Sequence, residues 1–407
     1  MTVQLSDIKA AAAQIVGAVL RTPLIKAPEL SALTGATVYL KLETLQRTGS
    51  FKSRGALVRL LALSPEQRRI GIVAMSAGNH AQGVADHARR LGIPATIVMP
   101  HITPFTKVER TRALHARVRL EGETLSEAQA FAEHLAEHEG LTLIHPYDDP
   151  LIIAGQGTVA LEMLEDQPDL DILVVPIGGG GLIAGMAVAA KAIRPTIEVI
   201  GVQAELYPSM QQALRGQVPR VSGSTLAEGI AVKTPGRLTL PIIREHVADI
   251  LLAGESALEK AVQMLMEIQK LVAEGAGAAA LAGLLSHRPR FVGKRVGLVV
   301  SGGNIDSRLI SSILMRGLMR GGRIARLRIE LTDTPGALAK VAALIGESGG
   351  NIIEVAHQRL FSDVPVKFAE IDVMVETTGN AHVAELIEHL RHAGFSTRAL
   401  GSLAEGD

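Results

Sequence analysis

The strongest constraint on the fold is an alternation. Short apolar runs bounded by glycine and proline (Ile70 to Met75, Ala95 to Met99, Ile172 to Ile177, Glu198 to Val202 and Val296 to Val300) are separated by longer amphipathic stretches. Runs that are apolar on both faces fit strands buried on both sides, as in parallel sheets covered by helices. The intervening Ala81 to Leu91, Leu125 to His138, Ala257 to Leu271 and Ala276 to Leu285 carry helical apolar spacing. The pattern predicts an α/β fold with largely parallel sheets. The chain of 407 residues is long enough for two or three domains.

Near Gly321 and Gly322 the pattern changes to strict alternation at Ala325, Leu327, Ile329 and Leu331. Period two marks a half-buried strand and the start of a separate small domain over 324–407. The order predicted there is strand (Ile324 to Leu331), turn (Asp333-Thr334-Pro335-Gly336), helix (Ala337 to Glu347), strand (Asn351 to Arg359), strand (Val366 to Glu376), helix (His382 to His392) and strand (Phe395 to Leu400). This is the ferredoxin-like βαββαβ order.

Composition removes several classes of function. With 41 basic against 41 acidic residues, seven Phe, three Tyr and no Trp, the chain lacks the charge and the stacking surface of a nucleic-acid binder. No cysteine is present, which excludes disulfides, thiolate metal sites and a cysteine nucleophile. Ile172 to Ala190 is free of charge and approaches the length of a membrane span, but Pro176 and four glycines divide it into strand, turn and helix. No basic lead-in precedes the apolar stretch Ala10 to Leu20, so the expectation is a cytoplasmic protein without a signal peptide or membrane partner.

Four motifs carry chemistry. In Thr48-Gly49-Ser50-Phe51-Lys52, Lys52 follows a glycine-containing turn and opens a helix; it is either a solvated lysine or a desolvated amine able to act as nucleophile and base. Ser76-Ala77-Gly78-Asn79-His80 lies between a strand and a helix, where free amides bind a carboxylate or where Ser76 or Asn79 simply caps. Pro176-Ile177-Gly178-Gly179-Gly180-Gly181-Leu182 lets backbone amides close around a phosphate. Its Gly179, Gly181 and Ala184 also fit a dinucleotide fingerprint, although the expected acid is displaced to Glu205. Ser301-Gly302-Gly303-Asn304 places a hydroxyl at a strand end, a turn in itself or a partner for a ring nitrogen.

Together, in this order and spacing, the four motifs resemble the threonine/serine dehydratases of fold type II, a pyridoxal 5'-phosphate family related to the tryptophan synthase β chain, over residues 1 to about 320. The tail, with Asp333-Thr334-Pro335-Gly336-Ala337-Leu338, resembles an ACT regulatory domain. The resemblance implies a large cofactor-binding domain from 1–50 with 151–320, a small domain over 51–150, and the ACT domain over 324–407. It implies that Lys52 holds the cofactor and takes the Cα proton, and that Phe51 flanks the ring. Asn79 would bind the phenolic oxygen, Gly178, Gly179, Gly180, Gly181 and Leu182 the phosphate, and Ser301 the ring nitrogen. Ser76, Ala77, Gly78, Asn79 and His80 would seat the substrate carboxylate. Threonine, and serine beside it, would lose water and ammonia to give 2-oxo acids.

It further implies a homo-oligomer, dimer or tetramer, with an amino-acid effector near Asp333, Gly336 and Asn351. The effector's sign would decide between isoleucine synthesis and threonine breakdown. Related serine racemases carry a serine where this chain has Ala77, so poor racemisation is expected. They also bind a divalent metal where this chain has Gln203, Tyr207 and Ser209, which are not hard-cation ligands, so no metal is expected. Two other readings stay open: a sister dehydratase for another β-hydroxy amino acid such as 3-hydroxyaspartate, and a non-catalytic amino-acid sensor. Glu274 either caps the following helix or approaches the cofactor. His134 and His138 match a zinc-protease pattern without a third ligand. Six arginines from Arg308 to Arg328, without one acid, form a solvated or subunit-facing stretch or else a polyanion site.

Overall fold

In a computed structural model, which describes residues 3–358 and 367–401, the apolar runs become strands of two parallel sheets. In chain order these are β1 (Leu24–Lys26), β2 (Thr37–Leu42), β3 (Ile72–Met75), β4 (Ala95–Met99), β5 (Arg117–Leu120), β6 (Thr142–Leu143), β7 (Ile172–Pro176), β8 (Glu198–Ala204), β9 (Asp249–Ala253) and β10 (Arg295–Val300). The smaller sheet has the order β5-β4-β3-β6 and is parallel throughout. The larger has the order β1-β2-β10-β7-β8-β9, with only β1 antiparallel.

All five β7 residues are buried, which is why the run reads as continuously apolar. Helices Pro150–Asp166 and Gly181–Ile193 cover the larger sheet and touch through glycines: a Cβ on Gly185 would strike the Ile153 carbonyl. Where boundaries differ from expectation, local chemistry explains it. Ile70 ends a helix (Pro65–Ile70) that Ser64 caps and Gly71 stops at φ 113°, so β3 begins only at Ile72. The expected Ala257 to Leu271 helix runs Glu255–Glu267 and is closed before Lys270, which adopts φ 57°. No helix among the described residues is long and apolar enough to cross a membrane.

The chain divides into two compact units at Ile305 and Asp306. The second contains β11 (Ile324–Thr332), β12 (Asn351–Gln358), β13 (Phe368–Glu376) and β14 (Thr397–Ala399), with helices Ala337–Glu347 and Asn380–His392 in the βαββαβ order. Its sheet, β12-β13-β11-β14, is antiparallel. The expected strand ends Arg359 and Val366 lie outside the described residues. β14 is shorter than expected because Phe395 still donates its N–H to Leu390 at the preceding helix end. Of the six arginines, Arg326 and Arg328 both bond the buried Asp372, which neutralises part of that basic run.

Candidate active site

Three motifs leave the carboxyl ends of parallel strands, where open α/β sheets present ligand sites: Ser76 after β3, Gly178 just past β7 and Ser301 after β10. Backbone contacts fasten the lysine motif to the last of these. Phe51 N–H donates to Ser301 O at 3.1 Å, Gly303 N–H to Gly49 O at 2.9 Å, and Ser50 bridges Gly302.

Lys52 opens the helix Lys52–Leu61, and its Nζ donates to Pro146 O at 2.7 Å and stands 5.2 Å from the Phe51 ring centroid. Burial pushes this amine down to about 8, which favours the desolvated of the two sequence readings. His80, at the start of helix Asn79–Leu91, is buried beside it. Its Nε2 meets Ile144 O at 3.0 Å, which places the hydrogen on Nε2 and leaves Nδ1 without a partner. Burial first, then the Lys52 charge, hold His80 down to about 3, so the ring is neutral at physiological pH.

Among the described residues no side chain caps helix Asn79–Leu91 and the Asn79 and His80 amides meet no protein acceptor; Ser76 Oγ accepts from Gly78 N–H at 3.1 Å instead. The tetraglycine run is a larger version of the same device. Among the described residues, no N–H from Gly178 through Ile183 donates to a protein acceptor, and they gather at the N-terminus of the 13-residue helix Gly181–Ile193. Gly180 adopts φ 99°, and a Cβ on Gly179 would collide with the Tyr147 ring. Thr239 Oγ1 and Gly236 N–H both donate to Gly179 O, at 2.7 and 3.2 Å.

Some of the site was not foreseen. Pro146 holds Lys52 and the adjoining Tyr147 lies against Gly179 and Gly181, so this turn joins the amine to the glycine loop. Its signal was the proline-bracketed segment His145 to Pro150. Asn304 Nδ2 donates to Thr48 O at 2.7 Å and to Asn79 Oδ1 at 2.8 Å. Glu274 sits at an N-cap position without capping; it accepts from Asn79 Nδ2 at 2.5 Å, and burial raises its carboxyl above the usual range.

Just behind the lysine, Arg54 is fully buried in an ion cluster. It bonds Glu43 at 2.8 Å through two nitrogens and Glu162 at 2.6 and 2.8 Å, while Lys41 reaches Glu162 at 2.5 Å. Burial opposes the Glu43 charge, but the Arg54 guanidinium holds its carboxyl below the usual range.

Ser301 is buried, its Oγ 3.4 Å from Ala276 O. Gln203, Tyr207 and Ser209 spend their oxygens on Gln211 N–H, Gly223 O and Val232 O. The His134 and His138 rings stack at 3.8 Å, and no group of three metal-ligating side chains gathers among the described residues. In the second unit the structure separates the expected effector residues. Asp333 follows Thr332 at one end of β11, whereas Asn351 is level with Glu376 and Ile324 at the other, about 26 Å away at ~3.3 Å per residue.

The comparisons agree with this geometry. The family described as pyridoxal-phosphate dependent enzyme matches residues 15–302, and the ACT domain family matches residues 320–393. The L-threonine ammonia-lyase of Thermotoga maritima is 45% identical over 401 residues, 98% of this chain and 100% of that protein. Among solved structures, maize serine racemase superposes with TM-score 0.73 at 34% identity over 78% of this chain and 99% of its own. The processed form of threonine deaminase isoform 2 from Solanum lycopersicum does so with TM-score 0.72 at 35% identity over 76% and 91%. With a desolvated lysine, unclaimed amides at two helix starts and these matches, the chain belongs to the pyridoxal-phosphate dependent enzymes and carries a C-terminal ACT domain.

Proposed function

We propose that this enzyme deaminates L-threonine, and L-serine beside it, to 2-oxobutyrate or pyruvate with release of ammonia. The observation that carries the reading is the buried Lys52 amine, lowered to about 8 and joined through the Pro146-Tyr147 turn to the glycine loop. The relatives named for threonine deamination support the substrate.

The residues fit pyridoxal 5'-phosphate. The unclaimed amides of Gly178 to Leu182 suit a phosphate dianion, and the loop has no room for a side chain at Gly179. Bound there, the cofactor supplies an aldehyde for amines and an electron sink for the charge left when a Cα proton departs. Lys52, neutral at modest cost, would hold the cofactor through its amine and would be the base for that proton. The Ser76 to His80 amides receive the substrate carboxylate, and Asn79 donates to the phenolic oxygen. Ser301 would meet the ring nitrogen with a hydroxyl instead of a carboxylate, a partner that does not require the nitrogen to be protonated and so would suit elimination of the β-hydroxyl. Ala77, where the related serine racemases carry a serine, has no proton acceptor in its side chain, so Lys52 would be the proton acceptor and racemisation would be poor. Water leaves in the elimination and returns in the hydrolysis that frees ammonia.

On this reading 1–50 with 151–320 and 51–150 form the catalytic lobes and 324–407 the effector domain. An effector that touches both Asp333 and Asn351 would lie between two copies, which supports reading the enzyme as a homo-oligomer. Purified protein given L-threonine, L-serine or 3-hydroxyaspartate, with Lys52→Ala as control, tests the substrate. 2-Oxobutyrate from threonine, absent in the control, is expected; turnover of 3-hydroxyaspartate alone would replace the proposal with the sister dehydratase.

A further inference from the structure

We propose that Asn304 is a positioning residue: by donating both of its amide hydrogens it fixes which way the Asn79 amide faces, and so which group Asn79 offers the cofactor. The inference rests on the reading above, in which Asn79 meets the phenolic oxygen. The two ends of an asparagine amide have nearly the same shape, so its orientation is set by what surrounds it.

Here the starting point is a group that can only accept. The Thr48 carbonyl lies 2.7 Å from Asn304 Nδ2, so the nitrogen of Asn304 has to be on that side. The second hydrogen of the same nitrogen reaches Asn79 Oδ1 at 2.8 Å. That places the Asn79 nitrogen opposite, where it donates to Glu274 Oε1 at 2.5 Å and keeps one hydrogen free. Reversed, Asn79 would set its NH2 against that of Asn304 and give up its own donation to Glu274, leaving a repulsive pair of donors in a partly buried place.

The chain from Thr48 through Asn304 and Asn79 to Glu274 joins four segments far apart in sequence, and glycines make room for it. A Cβ on Gly49, which adopts φ 70°, would lie 2.7 Å from Asn304 Oδ1. One on Gly302 would lie 2.5 Å from Glu274 Oε1 and 3.1 Å from Asn79 Nδ2. Glu274 makes no cap bond to its own helix, so its carboxylate is available as the end of the chain.

A donor at the phenolic oxygen favours its ionised form, so the pH at which the bound cofactor changes its visible absorbance reports the Asn79 orientation. Asn304→Asp keeps the shape and removes both donors. The expected result is an upward move of that spectral midpoint by about one pH unit, with kcat reduced about tenfold and the substrate KM changed less than about threefold. Asn304→Ser, which keeps one hydrogen, should give a smaller move in the same direction. An unchanged midpoint in either variant overturns the proposal, even if activity and cofactor affinity fall together, because that is the mark of a purely structural role. Should neither variant hold cofactor, neutron diffraction from the wild-type holoenzyme decides: Asn304 deuterons on the Thr48 carbonyl and Asn79 deuterons on Glu274 sustain it, and the opposite arrangement ends it. Failure of wild-type protein to form 2-oxo acids would strike the functional reading alone, since the spectral midpoint requires no turnover.

Discussion

Lys52 is the residue on which the proposed chemistry turns, and its environment bears on stability as well. Its amine titrates near 8 in the folded chain against 10.5 as an ordinary lysine, so between those values the unfolded state binds more protons than the folded one. Stability of the cofactor-free protein is therefore expected to rise as pH increases from 8 to 10.5. Thermal melts should show this increment in the wild type and lose it in Lys52→Met, whose side chain cannot charge. Gly179 offers a second test at the same scale. A methyl group there would strike the Tyr147 ring, so Gly179→Ala must displace either the ring or the loop. Overpacking of this kind costs about 1–3 kcal/mol, and absorbance titration should find cofactor affinity reduced by about tenfold or more with Lys52 untouched. The four motifs were legible because glycines, a lysine and serines at strand ends have few structural alternatives in combination. Pro146 and Tyr147 were not singled out, and Asn304 stood in a motif without a role of its own, because a turn and a single amide acquire meaning only when distant segments meet.

Among the elements, the strands were the easiest to anticipate: buried on both faces, they leave a continuous apolar run, as β7 does. Their ends were harder, since the Ser64 cap and the Gly71 stop compete with the apolar pattern at Ile70. Hidden altogether was the charge cluster that ties β2 to the helices Lys52–Leu61 and Pro150–Asp166. No sequence pattern joined Lys41, Glu43, Arg54 and Glu162, and charged residues are seldom fully buried, yet Lys41, Glu43 and Arg54 are. Arg54→Met would leave Glu43 without its main partner, and breaking a buried pair in this way costs about 3–5 kcal/mol. Urea denaturation should show the midpoint fall accordingly. Because the Glu43 carboxyl titrates below its unfolded value of 4.5, its contribution is present above that pH and is lost as acid carries the protein down through the folded value. Arg54→Met should therefore narrow the difference between melts at pH 7 and at pH 4.

At the scale of the whole molecule, the opposite placement of Asp333 and Asn351 would link the proposed regulation to assembly. A ligand that binds only between copies stabilises the assembled form by mass action. Isoleucine, valine or leucine added to the full chain should raise the melting temperature more at high protein concentration than at low, with sedimentation showing a dimer or larger. A monomer indifferent to all three would remove the effector role. The buried charges have a consequence at this scale too. Arg54 stands two positions beyond Lys52 in the same helical turn, so the backbone bearing the Lys52 amine is tied to the turn after β2 and to a second helix by ion pairs that are largely shielded from water. Partial opening there would strand those charges, which leaves global unfolding as the cheapest way to expose the backbone. In a hydrogen-exchange map the amide hydrogens of Gly55 to Val58 should thus be among the slowest to be replaced, making the catalytic helix the last part of the protein to come apart.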